Sequence, residues 1–179
     1  MMSKDKSIML KPMEPEDSVY MEKWHYSGDY DSFFVNAIML TREQLKVYSF
    51  MRDGQGLMIW KTDTSQPVGF ISLYDMRMLS QNVKIGILID KDHQKSLVGY
   101  HAMRLALEYA FNQMNFEKVI AEVSETNDRV IAVIEKGGFR KECVMEREAK
   151  DASGKLTDVV RYCIFKEEFH KRVKDNFYI

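Results

Sequence analysis

Between positions 83 and 90 every second residue is apolar: Val83, Ile85, Ile87 and Ile89 share one side of an extended chain. That segment, Val83 to Asp90, reads as a buried strand. From Val98 to Phe111 the period lengthens, with Val98, Ala102, Leu105, Ala106, Tyr109 and Ala110 on one stripe and Arg104, Glu108 and Asn112 on other faces. This is an amphipathic helix. Before them, Ile8 to Met13 reads as a first strand that Pro12 helps to end. Glu14-Pro15-Glu16-Asp17 then opens a helix carrying Met21 and Trp24, which Ser27-Gly28-Asp29 stops. A second helix starts at Thr41, with Leu45, Tyr48 and Phe50 on its apolar side. Leu57 to Lys61 and Val68 to Asp75 follow as strands, and Met76 to Gln81 turns the chain.

Beyond the long helix, Lys118 to Val123 is a strand. Asp128 to Lys136 is a short helix, capped at Thr126 or Asn127 and closed by Gly137-Gly138. Phe139 to Arg147 and Thr157 to Phe165 form a hairpin through Asp151-Ala152-Ser153-Gly154. Lys166 to Ile179 is charged with scattered aromatics and reads as a loosely packed tail. The order is strand, two helices, three strands, helix, strand, helix, two strands, which describes an α+β sheet with helices on its faces.

Composition narrows the function classes. A length of 179 residues without a linker or repeat fits a single domain spanning 1–179. With 26 Lys+Arg against 27 Asp+Glu, interspersed, nothing marks a nucleic-acid binder. No stretch is apolar for long enough to span a bilayer, and Met1 to Lys11 has no apolar h-region of a secretory signal. Two cysteines, Cys143 and Cys163, lack metal-ligand spacing, so no metal site or disulfide framework is expected and a reducing, cytoplasmic setting is. The 13 methionines read either as adaptable core filling or as the lining of a substrate pocket.

The most informative chemistry lies where Ile87-Leu88-Ile89-Asp90 runs through Lys91–Gly99 into the long helix. A strand passing through a polar loop into a helix N-terminus gathers backbone N–H groups that suit a phosphate. Gln94, Lys95 and Ser96 supply polar residues at that turn, and Gly99 permits close approach.

With these residues in view, the chain resembles the GNAT N-acetyltransferase superfamily, in the branch of ribosomal-protein N-terminal and polyamine acetyltransferases. The resemblance covers about 10–169 and leaves 170–179 as a C-terminal tail. Leu10-Lys11-Pro12-Met13 with Glu16, Asp17 and Trp24 is similar to the family's opening strand and helix. Val68-Gly69-Phe70-Ile71 and Ile85 to Asp90 resemble its third and fourth strands, and Asp158-Val159-Val160 with Tyr162 its closing strand. Asn127, followed by Glu135-Lys136-Gly137-Gly138-Phe139-Arg140, resembles its "N…EKxGF" segment. The resemblance implies a central mixed, mostly antiparallel twisted sheet of about seven strands. It also implies acetyl-CoA as co-substrate, with Ile87, Leu88 and Ile89 along the acyl arm and Gln94, Lys95, Ser96, Leu97, Val98 and Gly99 around its pyrophosphate. Asn127 would lie near the thiol. Leu97 stands where the family's first loop glycine is expected, and it can still present its N–H if φ stays negative.

The family's catalytic positions are altered. Its helix tyrosine is Ile134 here, its helix serine is Val130, and its fourth-strand glutamate is Lys84. A splayed fourth strand would offer the N–H of Leu88 or its neighbour to the oxyanion. Asp75 or His25 would take the amine proton. Asp29, Asp31, Tyr74 and Lys84 would contact the acceptor, a small-molecule amine or a peptide N-terminus. Two other readings stay open: a CoA-binding module without turnover, and an enzyme with another acyl donor or an anionic amino-sugar substrate attracted by Lys84. A homodimer is an open option, and neither a nucleic acid nor a membrane is an expected partner.

Overall fold

In the computed structural model the described residues are 1–3, 6–26, 54–94, 96–151 and 153–175, without the side chains of His25 and Tyr26. The helix expected from Thr41 and the loop at Ser27–Asp29 lie outside them. Seven strands form one sheet in the order β1-β2-β3-β4-β5-β7-β6. They are β1 (Ile8–Pro12), β2 (Gln55–Lys61), β3 (Gln66–Arg77), β4 (Asn82–Ile89), β5 (Lys118–Ser124), β6 (Arg140–Lys150) and β7 (Leu156–Phe165). Four helices accompany them among the described residues: α1 (Ser18–Tyr26), α2 (Val98–Asn112), α3 (Asp128–Lys136) and α4 (Lys166–Lys174). Every neighbouring pair is antiparallel except β4 and β5, which are parallel and joined through α2. The architecture is the α+β sheet that the hydrophobic pattern implied, in the mixed, mostly antiparallel seven-strand form that the family resemblance implied.

Alternation sorts the sheet's two faces. The odd residues of β4 point to the main core: Val83 and Ile85 are buried there, and Ile87 and Ile89 pack against it. Leu105, Leu107 and Phe111 of α2, Ile134 of α3 and Phe169 of α4 cover that face. On the other face Trp24 of α1 joins Met13 and Met58, with Phe70 and Leu88 beneath it. Trp24 stacks on Phe70 with ring centroids 6.2 Å apart. Met13, Met58 and Met103 serve as core residues, whereas Met2 and Met78 are exposed.

Pro12 is tolerated because β1 is an edge strand, and Pro67 sits beside the register shift at Ile59/Trp60. Two sequence expectations are corrected. β3 runs to Arg77 rather than ending at Asp75, because a bulge lies between Tyr74 and Arg77 and Asp75 takes a φ of +50° within it. The tail is not loose: Lys166–Lys174 is a helix, and Phe169 is 1% exposed with its ring centroid 5.4 Å from that of Phe111. The Phe165 N–H donates to Glu168 Oε2 at 2.8 Å, while Lys171, Arg172 and Lys174 sit at the other end of the dipole.

Candidate active site

β4 and β5 start together and then part. Their ladder holds only Asn82↔Lys118, Val83↔Val119 and Lys84↔Ile120, although β4 continues to Ile89 and β5 to Ser124. Beyond the last rung a wedge opens in the middle of the sheet, lined by strand edges. Which main-chain groups face it follows from the ladder's parity. At one end of β4, the Gln81 carbonyl accepts from the N–H groups of Glu117 and Lys118, toward β5. At the other, the Asp90 N–H donates to the Val68 carbonyl at 2.8 Å, toward β3. Directions alternate along an extended strand, so even positions turn to β3 and odd ones to β5. Leu88, paired with Phe70, therefore spends its N–H on the β3 side, and its carbonyl oxygen lies against Gly69. Of the expected donors, Leu88 or its neighbour, the ladder's parity favours the neighbours. Ile87 and Ile89 are the residues whose main chain meets the wedge.

The loop after β4 is anchored by Asp90, which is 7% exposed. Its Oδ2 accepts from the Trp24 indole at 2.8 Å and from Lys23 Nζ at 2.9 Å, and its Oδ1 from the Asp92 N–H at 3.2 Å. Burial pushes this carboxyl up, but those donors outweigh it and hold the group below the usual carboxylate range. One carboxylate thus ties the loop to α1. A short 3-10 turn, Lys91–His93, follows, and Ser96 Oγ donates to the His93 carbonyl at 2.6 Å while accepting from the Val98 N–H at 3.3 Å.

Leu97 is the N-cap of α2 with φ −75°, so its place demands no glycine conformation, and its side chain is 56% exposed. A Cβ on Gly99 would meet Ile89 Cγ1 at 3.6 Å and Val133 Cγ2 at 3.8 Å, which is ordinary contact. The first turn of α2 directs amide donors toward the mouth of the wedge, as helix starts do. Across the gap, Asn127 caps α3 by accepting the Val130 N–H on Oδ1 at 3.2 Å, a bond that does not use its amide nitrogen. Ile134 is buried in the core, 1% exposed. Lys95 lies outside the described residues.

At the vertex of the wedge the structure assembles charges that the sequence reading did not connect. Lys84 Nζ is 3.3 Å from Asp75 Oδ2 and 3.1 Å from Glu122 Oε2. Glu122 Oε1 accepts from Arg161 Nε at 2.9 Å and Nη2 at 2.7 Å, and Arg77 pairs with Asp75 at 3.3 Å. The result is an alternating row, Arg77–Asp75–Lys84–Glu122–Arg161, crossing β3, β4, β5 and β7. The Arg77 hydrogen bond, aided by Lys84, holds the Asp75 carboxyl below its ordinary value against a smaller opposing effect of burial. A carboxylate so held is a poor proton acceptor, which speaks against Asp75 as general base. Lys84 is likewise bracketed by two carboxylates, and this weakens it as a lone attraction for an anionic substrate. Tyr74 is its cross-strand partner on β3, half-buried. Glu122 and Arg161 were missed, although a charged residue inside the otherwise apolar run Val119 to Val123 was the available signal. The backbone of His25 lies in the last turn of α1, its side chain beyond description, and Asp29 and Asp31 fall outside the described residues. Among the described residues no cluster of His, Cys, Asp and Glu could hold a metal ion, and no helix is long and apolar enough to cross a membrane.

Comparison with known proteins adds to this geometry. The sequence profile of the Acetyltransferase (GNAT) domain matches residues 7–140. The spermidine N(1)-acetyltransferase of Escherichia coli K12 is 23% identical over 172 residues, covering 91% of this chain and 88% of that protein. A probable N-acetyltransferase of Bacillus subtilis, YjcK, is 30% identical over 93 residues, and the chain spans about half its length, 51%. Among solved structures, spermidine N-acetyltransferase from Vibrio cholerae in complex with CoA and spermine superposes with a TM-score of 0.84 at 17% identity. That match covers 92% of this chain and 98% of the other.

Proposed function

The chain belongs to the GNAT acetyltransferase family, and from that premise we propose that it moves an acetyl group from acetyl-CoA to a primary amine by direct attack. The observation that carries this reading is the β4–β5 wedge, with the main chain of Ile87 and Ile89 turned into it and the start of α2 at its mouth. The acyl arm lies along Ile87 to Ile89. The pyrophosphate sits against Gln94 to Gly99, where the dipole and amides of α2 favour an anion. The amide nitrogen of Asn127 faces the thiol end.

In the transfer step the amine lone pair attacks the thioester carbon, and the negative charge that develops on oxygen is met by the N–H of Ile87 or Ile89. Collapse of the tetrahedral intermediate breaks the C–S bond: the attacking nitrogen gives up one proton to solvent, and the thiolate leaves and is protonated from solvent. A thiol with a pKa of about 8.5 is a good leaving group, so the loss of the family's helix tyrosine at Ile134 does not stop the reaction. The ammonium form of the substrate must shed a proton first; solvent or His25 takes it, since Asp75 is held by cations. Relatives named for spermidine make polyamines the first acceptors to try, with Asp29 and Asp31 as the carboxylates that would bind them. Amino sugars and peptide N-termini follow.

A second reading, a CoA-binding module without turnover, is favoured by one observation: both carboxylates at the vertex, Asp75 and Glu122, are engaged by cations. One experiment separates the two. The protein is incubated with acetyl-CoA and a panel of polyamines, amino sugars and N-terminal peptides while free thiol is followed. Amine-dependent thiol release supports the enzyme. Thermal stabilisation by CoA without release from any amine supports the module. CoA at about a hundred times its Kd should add roughly 2.7 kcal/mol, so the absence of any shift defeats both.

A further inference from the structure

One side chain bridges the two lips of the wedge. Gln94, just beyond β4, donates from Nε2 to the Ile89 carbonyl at 3.1 Å and accepts on Oε1 from Arg129 Nη1 at 2.7 Å. Arg129 belongs to the opposite lip, as the second residue of α3 after β5. Both ends of the Gln94 carboxamide are committed to this bridge, so the family's loop glutamine acts here as a strut. The guanidinium is different: it is exposed and carries five N–H donors, of which the strut takes one.

Two further features set Arg129 apart. A cation in the first turn of a helix opposes the helix dipole, so the dipole does not account for it there. The neighbouring cations are less well placed. Lys136 is drawn over the Tyr100 ring, 4.7 Å from its centroid, at the far end of α3. Lys91 and His93 belong to the 3-10 turn before the loop.

We propose that Arg129 is a phosphate-binding residue for the CoA moiety, reaching from the α3 lip to an anion held at the start of α2. Planar guanidinium pairs with phosphate oxygens through two parallel hydrogen bonds, and Gln94 delivers it to the loop preoriented. The role adds a charge from the second lip to a loop whose own glycine position is occupied by Leu97. The inference rests on the acetyl-CoA reading above and deepens it.

The test compares wild type with Arg129→Gln and Gln94→Ala for binding of CoA, dephospho-CoA and pantetheine by calorimetry, with thermal melts confirming that each variant is folded. Arg129→Gln should weaken CoA about tenfold or more and leave pantetheine, which has no CoA phosphates, unchanged. An equal loss for dephospho-CoA assigns the contact to the diphosphate, and a loss confined to CoA assigns it to the ribose phosphate. Gln94→Ala should weaken CoA by less, because the guanidinium remains. Unchanged CoA affinity in Arg129→Gln, or an equal loss for pantetheine, overturns the proposal while leaving the acetyl-CoA reading intact. Failure of wild type to bind CoA at all overturns both.

Discussion

Removing the Asp90 carboxylate tests whether the loop after β4 is held by its tie to α1. In Asp90→Ala the Trp24 indole N–H, on a side chain 1% exposed, loses its acceptor, and an unsatisfied buried donor costs about 1–3 kcal/mol. The 3-10 turn loses its cap at the Asp92 N–H, about 1 kcal/mol more. The ion pair with Lys23 adds little, about 0–1 kcal/mol, since that lysine side chain is 64% exposed. Relief of the carboxylate's own desolvation offsets part of the sum, so the net loss is about 2–4 kcal/mol. For a chain of this size that lowers Tm by roughly 4–16 °C.

Urea titration at neutral pH of wild type, Asp90→Ala, Asp90→Asn and Lys23→Ala gives the order directly. Asp90→Ala should lose most, Asp90→Asn an intermediate amount because one acceptor oxygen remains, and Lys23→Ala least. The pH dependence follows from the direction of the shift: the folded carboxyl lies below its unfolded value of about 3.9, so its contribution is complete above that pH and is lost as pH falls through the folded value. The gap between wild type and Asp90→Asn should therefore narrow below about pH 4. Lys23→Ala losing as much as Asp90→Ala, or a gap that persists in acid, would refute the argument that the buried indole and the cap carry the effect.

Gly69→Ala places a Cβ 2.2 Å from the Leu88 carbonyl, a backbone clash costing about 1–3 kcal/mol, whereas Gly99→Ala meets only ordinary contacts and should gain up to about 1 kcal/mol from helix propensity; paired thermal melts check the contrast. Phe169→Ala should lose about 3–5 kcal/mol in urea titration, while a loosely packed tail would lose almost nothing. Lys84→Met removes one of the two cations beside Asp75, so its carboxyl rises toward the ordinary value. Because a depressed carboxyl stabilises only above its unfolded pKa, the variant's deficit should be present at pH 7 and shrink below about pH 4, read by urea titration at both pH values.

The sheet's elements were readable from periodicity because burial on one face leaves a period of two in β4 and of 3.6 in α2, whatever the neighbours are. The tail was misread because α4 shows only one buried residue, Phe169, and a single aromatic among charges gives no period. The row of charges through Lys84 and Glu122 was invisible for another reason. Glu122 meets Lys84 on one side and Arg161 on the other only because β5 lies between β4 and β7, and that order is not the order of the chain. Asp75, the candidate base in the sequence, joins that row through Arg77 on its own strand and Lys84 on β4.

The choice between Leu88 and its neighbours shows where legibility stops along a single strand. Side-chain direction in β4 has a period of two, and so does the direction of its N–H groups, but the two are fixed by different partners. The apolar residues alone say that 83, 85, 87 and 89 share the core face. Whether their N–H groups point to β3 or to β5 depends on which strand lies on which side and on one pairing, Val68 with Asp90. Had that register slipped by one residue, Leu88 would face the wedge, but the apolar side chains would have turned from the core to α1. Burial of Ile85 and the opening of Ile87 and Ile89 to the wedge are thus two consequences of one register. The hydrophobic pattern that stabilises the sheet also determines which amides the cleft can offer to an oxyanion.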